Sequence, residues 1–151
     1  MRWQAAKSAI ISHFASEWGG LHPGMAVNFP NEGDENEPDE GVDAEDLDPE
    51  SGEWLRFRFL SSYSHRIAVG GQTREQGGRI VIHVFSPAGD GDARSESLCT
   101  DLETIYETAH DSGLPGDIHL GAPEPIYAEL DVGTQQYMSG RVIPFLIDHT
   151  P

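Results

Sequence analysis

From Met1 to Trp18 the apolar residues Trp3, Ala6, Ile10, Phe14 and Trp18 recur at short, regular intervals. Steps of three and four place them on one stripe of a helix, and Gly19-Gly20 is expected to end it. MAVNFP then reads as a short extended piece halted by Pro30. WLRFRFL (54–60) alternates: Leu55, Phe57 and Phe59 point one way, and Trp54, Arg56, Arg58 and Leu60 the other. That period of two predicts a half-buried strand. Residues 61–79, SSYSHRIAVGGQTREQGGR, read as an extended arm or hairpin, with its turn at Gly70-Gly71 or Gly77-Gly78. RIVIHVF (79–85) is apolar on both faces apart from His83, as a central strand covered on both sides should be.

Ser86-Pro87 stops that strand, and Asp92 is placed to cap a helix over Ala93–Ala109. Leu98, Leu102, Ile105, Tyr106 and Ala109 form its apolar stripe, and Gly113-Leu-Pro-Gly116 closes it. DIHLG (117–121), PIYAELD (125–131) and QYMSGRVIPFLID (136–148) read as strands. Pro144 has no N–H for a ladder, so an edge or a bulge is expected there. The expected fold is α+β. A mixed β-sheet is packed by two amphipathic helices and carries an extended β-hairpin arm, all within one domain over 1–151.

Residues 31–53 break the pattern. They hold twelve acids, no base, and only Val42 and Leu47 as large apolar side chains. Such a segment buries too little to offset the entropy of ordering it, and it is expected to be an acidic, disordered or loosely held loop. Over the whole chain 26 acids face nine bases, for a net charge of −17. Such a surface repels a phosphate backbone, so specific nucleic-acid binding is not expected. No apolar run is long enough to span a membrane. The N-terminus lacks the apolar core and cleavage site of a signal peptide and reads as mature protein. One cysteine, Cys99, leaves no internal disulfide and suits a reducing compartment.

Candidate chemistry is sparse. The strand, Gly-rich loop and helix at 79–109 follow the order of a phosphate cradle. In Gly89-Asp90-Gly91-Asp92-Ala93-Arg94, however, Arg stands where a dinucleotide fingerprint has its third Gly, and no Lys-Ser/Thr follows. Asp90 and Asp92 would also oppose an anionic ligand, by about 4 kcal/mol each at ~4 Å and an effective dielectric near 20. The pattern reads instead as a tight, capped turn without a bound cofactor. The acids fit no EF-hand spacing. The seven histidines form no HExxH or Cys-His set. No Ser sits in a nucleophile elbow, and Cys99, beside an apolar stripe, reads as a packing residue. No catalytic residue and no metal ligand is expected.

Eight of the nine bases are arginine, and Arg56, Arg58, Arg66, Arg74 and Arg79 all lie in the strand-and-arm region. Arginine suits bidentate pairing with carboxylates at interfaces. An acidic protein with such an arm is built to bind copies of itself; scattered surface charge is the plain alternative, and the residues alone leave both open.

The order of these elements resembles the tail terminator proteins of long-tailed, siphovirus-type bacteriophages, the lambda-type terminators and their distant relatives. The shared features are an N-terminal amphipathic helix, Arg74-Glu-Gln-Gly77 before the central strand, the Phe85-Ser-Pro87-Ala-Gly89-Asp-Gly91 turn, the helix after it, and a closing Val142-Ile-Pro-Phe145 strand. They cover nearly the whole chain. The resemblance implies a non-enzymatic virion protein at the head–tail junction, assembled in the host cytoplasm. Such a protein forms a hexameric ring that caps the tail tube, stops its polymerisation and offers a docking surface to the head connector. Its partners would be other copies of itself, the tail tube protein and the head-completion protein, with room for DNA to pass through the ring. The arm at 61–79 would be a subunit contact. The long 31–53 loop and the extreme acidity depart from the family pattern; both suit a virus of a high-salt host or a ring lining a DNA passage. Another head–tail joining or tail-tube-related protein, an acidic DNA mimic that occupies a basic partner, and a metal-dependent hydrolase are the competing readings.

Overall fold

The computed structural model describes residues 3–30, 52–66, 74–87, 89, 93–131 and 136–149; side chains within 61–75 are not among them. Of the loop expected over 31–53, residues 31–51 lie outside the described residues, as do the Gly70-Gly71 turn and the Asp92 cap; Gly52 and Glu53 are held by Gln136 and Arg94, so the loose segment does not extend to them. Two helices and six strands follow in the order α1 (Trp3–Leu21), β1 (Ala26–Asn28), β2 (Trp54–Arg66), β3 (Arg74–Pro87), α2 (Ala93–Glu107), β4 (Ile118–Leu120), β5 (Glu124–Asp131) and β6 (Gln136–His149). The sheet runs β1-β2-β3-β6-β4, and β5 shares the outer side of β6 with β4. Only the β1–β2 pair is parallel, which makes the sheet mixed. The α+β architecture expected from the sequence is the one observed.

Both helices cover one face of this sheet. Ala6, Ile10, Phe14 and Trp18 of α1 are buried, as their spacing predicts. So are Leu98, Leu102, Ile105 and Tyr106 of α2, with Ala109 just beyond it. They meet Leu55, Phe57 and Phe59 of β2, Ile80, Ile82 and Val84 of β3, and Ile143, Phe145 and Ile147 of β6 in one core. Phe14 lies at its centre, with ring centroids 5.2 Å from Phe57, 5.7 Å from Trp18 and 6.2 Å from Tyr106. Burying one such ring contributes about 1.5–3 kcal/mol.

Three expectations need correction. Gly19 and Gly20 lie inside α1, which runs on to Leu21. His22 continues the turn, its N–H donating to the Trp18 carbonyl at 2.8 Å and its ring lying tilted against Trp18 at 4.4 Å, and His22 Nε2 reaches Asp101 Oδ2 on α2 at 2.7 Å. The chain reverses at Gly24, whose φ of 82° favours glycine. Tertiary anchoring here outweighs the low helix propensity of the glycine pair.

Gly77-Gly78 is not a turn. Gly77 pairs with Tyr63 on one side and Leu146 on the other, in the middle of β3. The arm is also three strands wide, because β6 accompanies β3 as far as the Arg74–His149 pair. A third strand stabilises what would be a marginal two-stranded ribbon.

Pro144 marks no bulge, and β6 is an edge there only locally, on its outer side. The β3–β6 register passes through Arg79–Pro144 without a shift. On the outer side of β6, β5 pairs as far as Val142 and β4 begins at Phe145. Proline occupies the gap between these two partners, where no ladder N–H is needed. Its carbonyl accepts from Gly121 N at 2.7 Å.

Candidate assembly surface

Strand alternation sends a second set of side chains to the face opposite the helices. Register places Trp54, Arg56, Arg58 and Leu60 of β2 beside Phe85, His83, Val81 and Arg79 of β3. The next neighbours, on β6, are Met138, Gly140, Val142 and Pro144. Arg56, Arg58 and Arg79, three of the five arginines expected to form an interface, therefore share this face. Arg66 and Arg74 pair with each other across the end of the arm, away from those three. Their side chains lie outside the described residues.

The three arginines differ in their surroundings. Arg58 Nη1 donates to the carbonyls of Phe57, at 2.7 Å, and Asn28, at 3.1 Å, and so ties β2 to β1. Arg56 lies over the Phe85 ring, 5.5 Å from its centroid, and donates to Nδ1 of His83 at 3.4 Å. Trp54 stacks on the same Phe85 ring at 4.0 Å. His83 stays neutral: burial first, then Arg56 and Arg58, lower its pKa to about 4. Arg79 is exposed. Among the described residues neither Arg56 nor Arg79 has a carboxylate partner. Gly140 lets the strands close beneath this row, since a Cβ there would collide with the Ile82 carbonyl.

Where arginine and carboxylate do meet, the contact holds the fold. Arg141 is 8% exposed and lies on the helix-covered face. Its Nε donates to Glu103 at 2.5 Å and its Nη2 to Glu96 at 3.4 Å, joining β6 to α2. Arg141 is not among the five arginines singled out by residue type and spacing. The signal was available in its parity, which it shares with the core residues Ile143, Phe145 and Ile147; an arginine on that side of a strand needs buried partners. Arg94, the residue that breaks the dinucleotide pattern, forms a two-pronged bond to Glu53 at 2.6 and 3.2 Å. Beside it, Gln136 donates to the Gly52 carbonyl at 2.9 Å. This pair of contacts fastens the chain where the acidic segment returns to the sheet.

Cys99 is fully buried against Ser139, 3.4 Å away, and burial pushes its thiol pKa up, in keeping with a packing role. Among the described residues no group of three or more His, Cys, Asp or Glu side chains is placed to hold a metal. None of their helices is long and apolar enough to cross a membrane.

Two further features had no counterpart in the sequence reading. A pocket of about 530 Å³ opens between β3, β4 and β6, lined by Arg79, His119, Leu120, Pro144 and Leu146 among others. His119 Nε2 lies 2.7 Å from Asp148 Oδ2 beside it. On β5, Tyr127 is 81% exposed and falls within a register shift between Ile126 and Glu129.

No family model matches this sequence, and no curated protein does. Nineteen solved chains match its structure. One of them, a protein bearing no functional name, superposes with a TM-score of 0.59 at 15% sequence identity, covering 96% of this chain and 97% of its own. At that identity the likeness speaks for the fold alone, and it extends over the whole domain.

Proposed function

We propose that this chain is a structural assembly subunit, a tail terminator-type protein whose copies close into a six-membered ring on the end of a phage tail tube. The ring and its place in the tail come from the sequence resemblance. The observation that carries self-assembly is the state of Arg56 and Arg79. In a chain with 26 acids and nine bases, both lie on the sheet face without helices and lack a carboxylate among the described residues. Guanidinium groups in so acidic a molecule find carboxylates readily on a second copy.

Assembly depends on salt in this reading. Six copies carry six times the −17 charge of one, and their repulsion is screened over ~8 Å at physiological ionic strength. Light scattering across a salt series is expected to give a mass near six times 16.5 kDa, and negative-stain images are expected to show rings. Arg79→Glu is expected to shift the population to smaller species. A wild-type chain that stays monomeric at every salt, with and without tail tube protein, overturns the proposal. Tight binding of such a monomer to a basic protein would instead mark an acidic mimic.

A further inference from the structure

We infer that Tyr127 of one copy seats in the Arg79 pocket of the next copy, in a head-to-tail contact. The inference rests on the assembly reading above and adds which two surfaces meet.

The knob comes first. β5 pairs with β6 from Glu124–Val142 to Ile126–Gly140 and again from Glu129–Met138. Three steps along β5 thus match two along β6, so one extra residue is accommodated in a bulge. Bulges re-aim side chains at sheet margins. Tyr127 lies in this one and is the most exposed large apolar side chain among the described residues, at 81%. Glu124 and Glu129 flank it, both exposed, and β5 holds no base. Bulge and acids together oppose pairing with another strand. β5 is therefore suited to presenting a side chain and unsuited to extending the sheet.

The pocket is its complement. Leu120, Pro144 and Leu146 offer apolar surface, and its volume of about 530 Å³ has room for a tyrosine side chain. Arg79 supplies the positive charge that β5 lacks, while His119 Nε2 is held 2.7 Å from Asp148 Oδ2. An aromatic anchor in a pocket, flanked by charge pairs, is the usual form of an interface hot spot. Arg79 can stack on the tyrosine ring or pair with a flanking carboxylate.

A chain does not fill its own pocket. Ile126 lies opposite Gly140, whereas the pocket takes β6 at 144–146. Four residues of strand separate them by about 14 Å. Knob and pocket do not overlap, which permits a head-to-tail contact of the kind that closes a ring.

The test uses the full-length protein. Tyr127→Cys and His119→Cys variants are purified separately, mixed under oxidising conditions and resolved without reductant. A disulfide-linked pair that needs both variants is expected; the native Cys99 is fully buried and does not compete. Tyr127→Ala is expected to weaken self-association about 30-fold or more, with its thermal unfolding unchanged. Suppose the wild-type chain assembles, Tyr127→Ala assembles equally well and no mixed disulfide forms. That result overturns this contact and leaves the ring reading standing. A wild-type chain that never assembles removes the ring reading, and this contact with it.

Discussion

On the helix-covered face of the sheet, Arg141 is bonded to Glu103 and Glu96; on the opposite face, Arg56 and Arg79 have no carboxylate among the described residues. The same strands supply both faces. Leu55, Phe57 and Phe59 alternate with Trp54, Arg56, Arg58 and Leu60. One set is sealed by α1 and α2, and its one buried cation is matched. In the other set Arg58 is tied to the carbonyls of Asn28 and Phe57, Arg56 lies against Phe85 and the neutral His83, and Arg79 on the neighbouring strand is exposed. Buried charge must be satisfied within the chain, whereas exposed charge is free to be satisfied elsewhere. The first face supports stability, and the second is the side on which a neighbour gains most.

If this contrast is right, substitutions on the two faces separate in their effects on folding. Phe57→Ala removes a fully buried ring that contacts Phe14, Phe29 and Phe59. It is expected to cost about 3–5 kcal/mol of stability, read from denaturant unfolding. A loss below about 1 kcal/mol would mean that this face is not the core.

Arg141→Ala tests the matched cation. Glu96 and Glu103 are 46% and 37% exposed, so water takes over much of their solvation when the arginine is gone. The expected loss is about 1–2 kcal/mol, below that of a fully buried pair. An unchanged unfolding midpoint would show that the β6–α2 bond is incidental.

His83 gives the opposite face a pH signature. Its pKa is about 4 in the fold, against 6.5 when unfolded. Between those values the unfolded chain binds the extra proton, so this group makes stability fall as pH drops from about 6.5 to about 4. Above 6.5 it has no effect. His83→Gln keeps an acceptor for Arg56 and is expected to flatten that part of the decline, measured as the difference between unfolding midpoints at the two ends of the window. An identical decline in both proteins would show that His83 is solvated in the fold.

Arg79→Glu sets the lower end of the scale. Its stability is expected to stay within about 0.5 kcal/mol of wild type, even as its assembly falls. Loss of folding in this variant would erase the distinction between the faces.

Much of the architecture was legible in local pattern. The spacing of Ala6, Ile10, Phe14 and Trp18, and of Leu98, Leu102, Ile105 and Tyr106, identifies both helices and the side that each buries. Alternation in β2 assigns Phe57 to the core and Arg56 away from it. Glycine signals were less dependable. Gly19-Gly20 continues a helix and Gly77-Gly78 continues a strand, because partners distant in sequence hold those backbones. Propensity is a local preference of a fraction of a kcal/mol to about 1 kcal/mol, and packing overrides it.

The candidate site divides along the same line. Residue type and spacing single out Arg56, Arg58, Arg66, Arg74 and Arg79 as an arginine group, and they argue against reading the Gly-rich turn as a nucleotide site. Chain pairing then separates Arg79 from Arg58, which is held by the carbonyls of Asn28 and Phe57. It also joins β3, β4 and β6 around a pocket whose lining comes from residues 78–79, 119–121 and 144–146. Helices and strand faces are periodic properties of a short stretch, and so they can be read along one line of residues. Pockets, matched charges and the side of a sheet that the helices cover depend on which distant segments become neighbours. That is set only when the whole chain packs.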